Sequence, residues 1–279
     1  MPHIYSLAYL TSAPMAPPEA IALAAGLGYQ TIGARIAAST PGGGFSPLIT
    51  DPAMLRDTLR RIADTGVGIF DVEIVRLGPH TDVADFAALL ETAGRLQARA
   101  VLVAGDDPDE ARLTGTFAAF CRAAAPYGLT ADLEFMPWTA VKNANAALRI
   151  VRGAGEPNGR VLVDALHAAR SATTLDDIAA LPRDLLSYAQ LCDAPGEIPA
   201  TDRELLHTAR SARLLPGDGG IDLDGIVRRL PDDLPFSLEI PNDDCLPRLG
   251  AEEWARRALA AARRIVDGAS RGPDPRMGS

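Results

Sequence analysis

Cysteines are few in this chain, and their spacing excludes two classes of structure. The three cysteines, Cys121, Cys192 and Cys245, lie far apart among 279 residues. An odd, scattered set argues against a disulfide framework, and the absence of a CxxC pair argues against a cysteine-ligated zinc site. We therefore expect inert thiols in or near the core.

Long basic runs and long apolar runs are also missing. The formal net charge is −9 and the 27 Lys and Arg form no long basic run, so we expect neither a nucleic-acid partner nor an anionic membrane surface. No run of about 18 apolar residues occurs, and the opening MPHIYSLAYLTSAP lacks a basic region followed by a long apolar core. These absences predict a soluble, cytoplasmic protein.

Short β-rich runs alternate with Ala-, Leu- and Arg-rich stretches of helical period, the pattern of repeated βα units around a parallel sheet. The predicted strands cover 3–10, 30–36, 68–77, 99–105, 129–135, 160–166, 185–193 and 234–241. The predicted helices lie near 17–27, 51–66, 82–97, 107–126, 139–153, 174–181, 200–212 and 250–267. Eight such units predict a single (β/α)8 TIM barrel over 1–269, followed by a disordered tail, 270–279.

The main alternative fold is a doubly wound open sheet, but its dinucleotide-binding signature is absent. No G-x-G-x-x-G follows the first strand, and the glycines 42–44 belong to the loop STPGGGFSPL after the second strand. Because no Lys-Ser/Thr pair follows them, we interpret 39–48 as a mobile βα loop and not as a phosphate-binding loop.

Polar side chains end four consecutive predicted strands. They are Glu134, Asp164, Gln190 and Glu239, each in an apolar context. A barrel directs the carboxyl ends of its strands to one mouth, where like charges repel and burial penalises each carboxylate. One such carboxylate alone could cap a helix or pair with Arg, but four oxygen-bearing groups on neighbouring strands indicate a divalent cation, with Mn²⁺ or Mg²⁺ suited to an all-oxygen set.

These motifs resemble the sugar phosphate isomerase/epimerase superfamily, also called the xylose isomerase-like barrels. The resemblance covers almost the whole chain. Its specific parts are LEFMPW with Glu134, 164-DALH-167, 190-QLCD-193, 213-RLLPGDGGIDL-223 and SLEIP with Glu239.

The resemblance implies a role for each matched residue. The metal would be held by Glu134, Asp164, Gln190 and Glu239. His167, three residues after the Asp ligand, would contact the substrate, and Arg213 of the Gly-rich loop would reach it. Arg170 and Trp138 are further candidates for substrate binding. Where related chains often carry an acidic residue, this one has Thr208, so no acid is expected there.

The chemistry that the resemblance implies is proton abstraction beside a carbonyl, through an enediolate, on a small keto-sugar or polyol. Glu134 or Glu239 would be the base, and His167 would stabilise an oxygen or deliver a proton. We expect an isomerase or epimerase. The alternative is a dehydratase of a cyclic keto-polyol such as a dehydroshikimate- or inosose-like compound, because Gln190 in place of His is similar to that branch.

Two other functional classes stay open at this point. A nuclease related to the AP endonucleases shares the barrel, but such sites use several metals and many histidines, and this chain has four His. A non-catalytic barrel could keep the cation for stability alone. The sequence also leaves open whether the chain forms a homo-oligomer. Glu73 and Arg76, near the end of the third strand, are predicted to face the same mouth.

Overall fold

A closed barrel of eight parallel strands forms the centre of the protein, in a computed structural model that describes residues 3–40 and 42–270. The strands pair in chain order, and β1 closes the ring against β8 with Ser6 opposite Ser237. They are β1 (Tyr5–Leu7), β2 (Thr31–Ala34), β3 (Gly68–Leu77), β4 (Ala100–Gly105), β5 (Thr130–Glu134), β6 (Gly159–Asp164), β7 (Ala189–Leu191) and β8 (Phe236–Leu238). The predicted TIM barrel is confirmed.

Helices follow every strand and cover the outside of the barrel. They are α1 (Tyr9–Ser12), α2 (Pro17–Leu27), α3 (Pro52–Thr65), α4 (Ala87–Arg95), α5 (Glu110–Ala124), α6 (Ala144–Ala154), α7 (Ala165–Arg170), α8 (Leu175–Ala179), α9 (Asp202–Ser211), α10 (Leu223–Val227), α11 (Cys245–Leu249) and α12 (Ala251–Ser270). None of these helices has the length and apolar composition needed to cross a membrane.

Local signals placed several helix ends correctly. Asp51 caps α3 by accepting hydrogen bonds from the N–H groups of Ala53 and Met54, and Gly28 ends α2 with a φ of 86° that favours glycine. At α5 the predicted start was too early. Asp109 is the cap, whereas the buried Asp107 carboxylate forms an ion pair with Arg112, whose side chain is half exposed.

Strand lengths were overestimated at β1, β7 and β8. The predicted 3–10 strand ends at Leu7 because α1 begins at Tyr9, and the apolar run 185–193 begins with a 3-10 turn at Arg183–Leu185. Four short helices, α1, α7, α10 and α11, were not predicted. Of the predicted tail, Ser270 is the last residue of α12, and 271–279 lie outside the described residues.

The main core lies between the barrel and its helices. Alternate strand residues such as Val101, Leu133 and Val163 face outward into it. A smaller apolar cluster fills part of the barrel interior, with Phe70 against Tyr188 at 4.9 Å between ring centroids. The barrel is therefore a packed core, and open space remains at its carboxyl-terminal mouth.

Asp193, just after β7, anchors the Gly-rich loop that follows α9. Its Oδ2 accepts hydrogen bonds from the N–H groups of Gly217 and Gly219 at 2.9 and 3.0 Å, and its Oδ1 accepts one from Ile221 at 3.1 Å. A Cβ on Gly219 would lie 2.3 Å from the carbonyl oxygen of Ala194. The carboxylate is thus a buried anchor for three backbone donors of the loop, in addition to the N–H of Ala194, and the glycine is required by close backbone approach.

We expect Asp193→Ala to lower the free energy of unfolding by about 3 kcal/mol, because buried N–H groups lose a charged acceptor. Urea denaturation measures this. Asp218→Ala is the matched control, since the Asp218 side chain is exposed and has no hydrogen bond among the described residues. Equal loss in the two variants would contradict the anchoring role.

Candidate active site

A cavity of about 270 Å³ lies at the carboxyl ends of the strands. Its wall combines carboxylates and guanidinium groups with apolar side chains. The lining includes Arg35, Glu73, Arg76, Glu134, Trp138, His167, Arg210, Arg213 and Glu239. We call this the central cavity.

The four predicted metal ligands occupy four consecutive strand ends. Glu134 and Asp164 are the last residues of β5 and β6, Gln190 is in β7, and Glu239 directly follows β8. All four are at most 5% exposed. Gln190 Nε2 donates a hydrogen bond to Glu239 Oε1 at 3.2 Å, and of the four only Glu134 and Glu239 line the central cavity.

Within residues 3–40 and 42–270, Glu134, Asp164 and His167 bring potential ligand atoms together. One such atom from each lies within 4.8 Å of the others, and His167 Nε2 is 3.6 Å from Glu134 Oε1. The local fold explains the spacing. Asp164 caps α7, accepting hydrogen bonds at Oδ1 from the N–H groups of Leu166 and His167, so the first turn of the helix brings the imidazole back over the strand end. Glu134, Asp164 and His167 form a candidate metal-binding triad.

Arg213 connects two of the predicted ligands. Its Nη1 contacts Asp164 Oδ2 at 2.5 Å and its Nη2 contacts Glu239 Oε2 at 2.8 Å. The backbone of Arg213 is held at the exit of β8, because its N–H donates to the carbonyl of Pro241 and its carbonyl accepts from the side chain of Asn242. At 2% exposure, this guanidinium is a fixed counter-charge of the site.

Two acceptor atoms of the predicted metal set have no hydrogen-bond donor within residues 3–40 and 42–270. They are Glu134 Oε1 and Gln190 Oε1, both buried. A buried acceptor without a partner is costly in free energy, unless a ligand, water or ion completes it. The donor set of carboxylate and amide oxygens therefore fits a hard divalent cation.

The carboxyl groups of the site differ in the direction in which their surroundings shift the pKa. Burial, followed by the charges of Glu239 and Asp164, raises the pKa of Glu134 well above its ordinary range. Burial raises the pKa of Glu239 to about 7, although Arg213 opposes the shift. Burial would also raise the pKa of Asp164, but the charge of Arg213 and the interactions with Arg213 and His167 outweigh it and hold that pKa below its ordinary value. Asp164 is thus the permanent anion of the three.

His167 is neutral at pH 7. Burial lowers its pKa to about 4, against the opposing effect of Asp164. Its ring meets the edge of the Trp138 indole, with centroids 5.0 Å apart and planes at 85°. A neutral imidazole in this position has a lone pair available for a cation or a proton.

The predicted substrate-binding residues are divided between two cavities. Trp138 and Arg213 line the central cavity, but Arg170 lines a separate surface cavity with Pro195 and donates to the carbonyl oxygen of Pro195. The geometry therefore gives Arg170 a structural contact, and its substrate-binding role stays a prediction.

Sequence reasoning missed two residues that shape the site. Thr11 brackets Glu239, because its hydroxyl donates to the carbonyl of Leu238 and accepts from the N–H of Ile240, both at 2.7 Å. Arg35, directly after β2, donates to Glu73 at 2.7 Å. No local signal marks either one, since each partner is remote in sequence. The predicted position of Glu73 and Arg76 at the mouth agrees with the lining of the central cavity.

A curated relative matches part of this chain. A curated 3-dehydroshikimate dehydratase of Pseudomonas aeruginosa is 32% identical over 124 residues, which are 43% of this chain and 19% of that protein. This chain therefore matches about a fifth of the length of that curated relative.

Solved structures with the same fold span nearly the whole chain. The IOLI protein, whose crystal structure contains a zinc atom, is similar with a TM-score of 0.77 and 18% identity, over 95% of this chain and 99% of that one. A D-allulose 3-epimerase from Methylomonas sp. has a TM-score of 0.69 and 14% identity, over 94% and 98%. At these identities the likeness shows the fold alone.

Family membership rests on the sequence itself. The family described as "Xylose isomerase-like TIM barrel" matches residues 21–265, which is most of the barrel. This chain belongs to the xylose isomerase-like TIM barrel family.

Proposed function

We propose that this protein is a divalent-metal-dependent isomerase or epimerase of a keto-sugar or a related polyhydroxylated carbonyl compound. The buried triad of Glu134, Asp164 and His167 at the barrel mouth carries the proposal. Two buried acceptor atoms without a hydrogen-bond donor, Glu134 Oε1 and Gln190 Oε1, also support the proposal. The residues that would hold the cation are Glu134, Asp164, Gln190 and Glu239, with His167 Nε2 as a further candidate ligand.

The side chains around the cavity suit proton transfer beside a carbonyl. Glu239, with a pKa of about 7, can take up and release a proton near neutral pH, and Glu134 is a second candidate base. Neutral His167 can accept or hand over a proton at Nε2, and Trp138 holds its ring. A bound divalent cation would supply Lewis-acid polarisation of the substrate carbonyl.

Mn²⁺ or Mg²⁺ suits the three carboxylates and the amide, because hard cations prefer oxygen ligands. The nearby imidazole of His167 and the zinc atom named for the IOLI structure make Zn²⁺ the competing ion. Metal analysis of the purified protein decides between them.

A dehydratase is the second candidate, and one observation favours it. The curated relative is named a 3-dehydroshikimate dehydratase. Gln190, at the position where His is more usual in the isomerases, is consistent with that branch. Both candidates share the first step, loss of a proton beside a carbonyl, and differ in what leaves or returns afterwards.

The proposal predicts metal-dependent proton exchange. In D₂O, with Mn²⁺, Mg²⁺ or Zn²⁺ added in turn, the protein should catalyse deuterium incorporation beside the carbonyl of at least one ketohexose or cyclic keto-polyol, measured by NMR. Formation of an epimer or isomer supports the first candidate, whereas a new conjugated enone absorbance supports the dehydratase. Absence of exchange with every metal and every compound of the panel would refute both.

Glu239→Gln should leave the fold intact but remove function. We expect metal binding at least about 10-fold weaker, since even groups that only support a ligand have effects of this size, and exchange about 10²- to 10⁴-fold slower. Metal content and exchange rate are the measurements. Glu91→Gln, at an exposed position on α4, is the matched control. An unchanged rate in Glu239→Gln would contradict its assignment.

The metal-free protein should become less stable as the pH rises through neutrality. Glu239 has a pKa of about 7 when folded against 4.5 as its ordinary value, so the folded state binds more protons between these limits and loses stability as they dissociate. From pH 5.5 to 8 this contribution falls by about 2 kcal/mol. Urea denaturation of wild type and Glu239→Gln isolates it as their difference, and a difference that does not vary with pH would exclude the shift.

A further inference from the structure

Glu73 is a buried carboxylate of the central cavity that the proposed metal set does not use. It lies in β3, is 2% exposed and lines the cavity. In a closed ring of eight strands, β3 stands across from β7, and β2 stands across from β6. Glu73 therefore faces the predicted ligands from the opposite side of the mouth.

Arg35 holds Glu73 in place. Its Nη2 donates to Glu73 Oε1 at 2.7 Å, and its guanidinium lies over the ring of Tyr9, 4.7 Å from the centroid. Arg35 and Glu73 both line the central cavity, so a molecule bound there would contact this ion pair. The contact with Tyr9 restricts the guanidinium and, through it, the carboxylate.

The ion pair leaves hydrogen-bonding capacity unused. Glu73 Oε2 and Arg35 Nε are buried and have no partner in the described part of the chain. The ion pair of Asp107 and Arg112, which lies away from the cavity, differs in this respect. Both of its carboxylate oxygens accept hydrogen bonds from the guanidinium. The pair outside the cavity thus has both carboxylate oxygens paired, whereas the pair in the cavity wall has one acceptor and one donor without a partner in the described part of the chain.

We propose that Glu73, positioned by Arg35, binds a hydroxyl group of the substrate on the side of the cavity away from Gln190. This inference rests on the proposed function and adds a specificity residue to it. A hydroxyl group both donates and accepts, so it completes Glu73 Oε2 and can also accept from the guanidinium. An ionised phosphate or carboxylate has no proton to donate to Glu73 Oε2, so the proposal assigns a neutral hydroxyl group to this position.

The test combines variants with substrate analogues. D-Fructose and D-tagatose, and each of their 1-, 4-, 5- and 6-deoxy analogues, are assayed for proton exchange in D₂O with the metal-loaded full chain. For Glu73→Ala we expect a loss of about 10- to 100-fold in kcat/KM on the parent sugar, mostly in KM, as for a hydrogen bond to a charged group. For the analogue without the contacted hydroxyl, the loss should be under about twofold. Glu73→Gln keeps the shape and should lose less than Glu73→Ala.

Asp107→Asn is the control, because it weakens the ion pair of a buried carboxylate with a half-exposed guanidinium outside the cavity and should leave KM unchanged. Should Glu73→Ala fail to fold, Glu73→Gln carries the same comparison. Equal losses on the parent sugar and on all deoxy analogues would overturn the inference while leaving the proposed function standing. If wild type exchanges none of the sugars, the proposed function fails for ketohexoses and the hydroxyl contact of Glu73 fails with it.

Discussion

Repulsion among buried carboxylates is the constraint on which the active-site region depends. Glu73, Glu134, Asp164 and Glu239 surround one mouth, and burial in a low-dielectric environment penalises each charge. Arg213 neutralises part of this charge by contacting Asp164 and Glu239. The raised pKa values of Glu134 and Glu239 show what remains uncompensated. The site can therefore accept further positive charge, either as protons or as a divalent cation.

Compensation of this kind requires that Arg213 cannot move away. Its backbone N–H donates to Pro241 and its carbonyl accepts from the Asn242 side chain, and both bonds fix it in place. Asp193 fixes the glycine-rich loop that follows. Thr11 holds the chain on both sides of Glu239. Few of these contacts join neighbours in sequence. The site is therefore rigid because the loops leaving several strands are connected to each other, in addition to being attached to their own strands.

The cavity has two chemically different sides. On one side, the predicted ligands lie at the ends of β5 to β8, together with His167 on α7. On the other side lie Arg35, directly after β2, and Glu73, within β3. A polyhydroxylated molecule can meet metal-ligating oxygens on one side and a carboxylate–guanidinium pair on the other. Under the proposed function, the first side would serve the proton transfer and the second would select among substrates.

Periodicity and local signals in the sequence determined the architecture. The alternation of apolar strand runs and amphipathic helices predicts eight βα units, since each pattern buries one face and a parallel barrel satisfies all of them. Polar residues at the ends of predicted strands, Glu134, Asp164 and Glu239 among them, also stood out, because a carboxylate beside an apolar run is unusual. Short strands and one-turn helices such as α7 were beyond local reasoning, since their bounds depend on contacts with other segments.

Tertiary structure alone decided which charges pair. The resemblance in sequence predicted that Arg213 would reach a substrate, but it could not show that the guanidinium contacts two predicted ligands, at the ends of β6 and β8. It likewise gave no sign that Arg35 holds Glu73, or that Asp193 binds a loop and not a cation. Residue type and spacing predict the secondary structure and chemical groups of one segment. Ion pairs between distant segments arise only when the closed barrel brings its strand ends within a few ångströms.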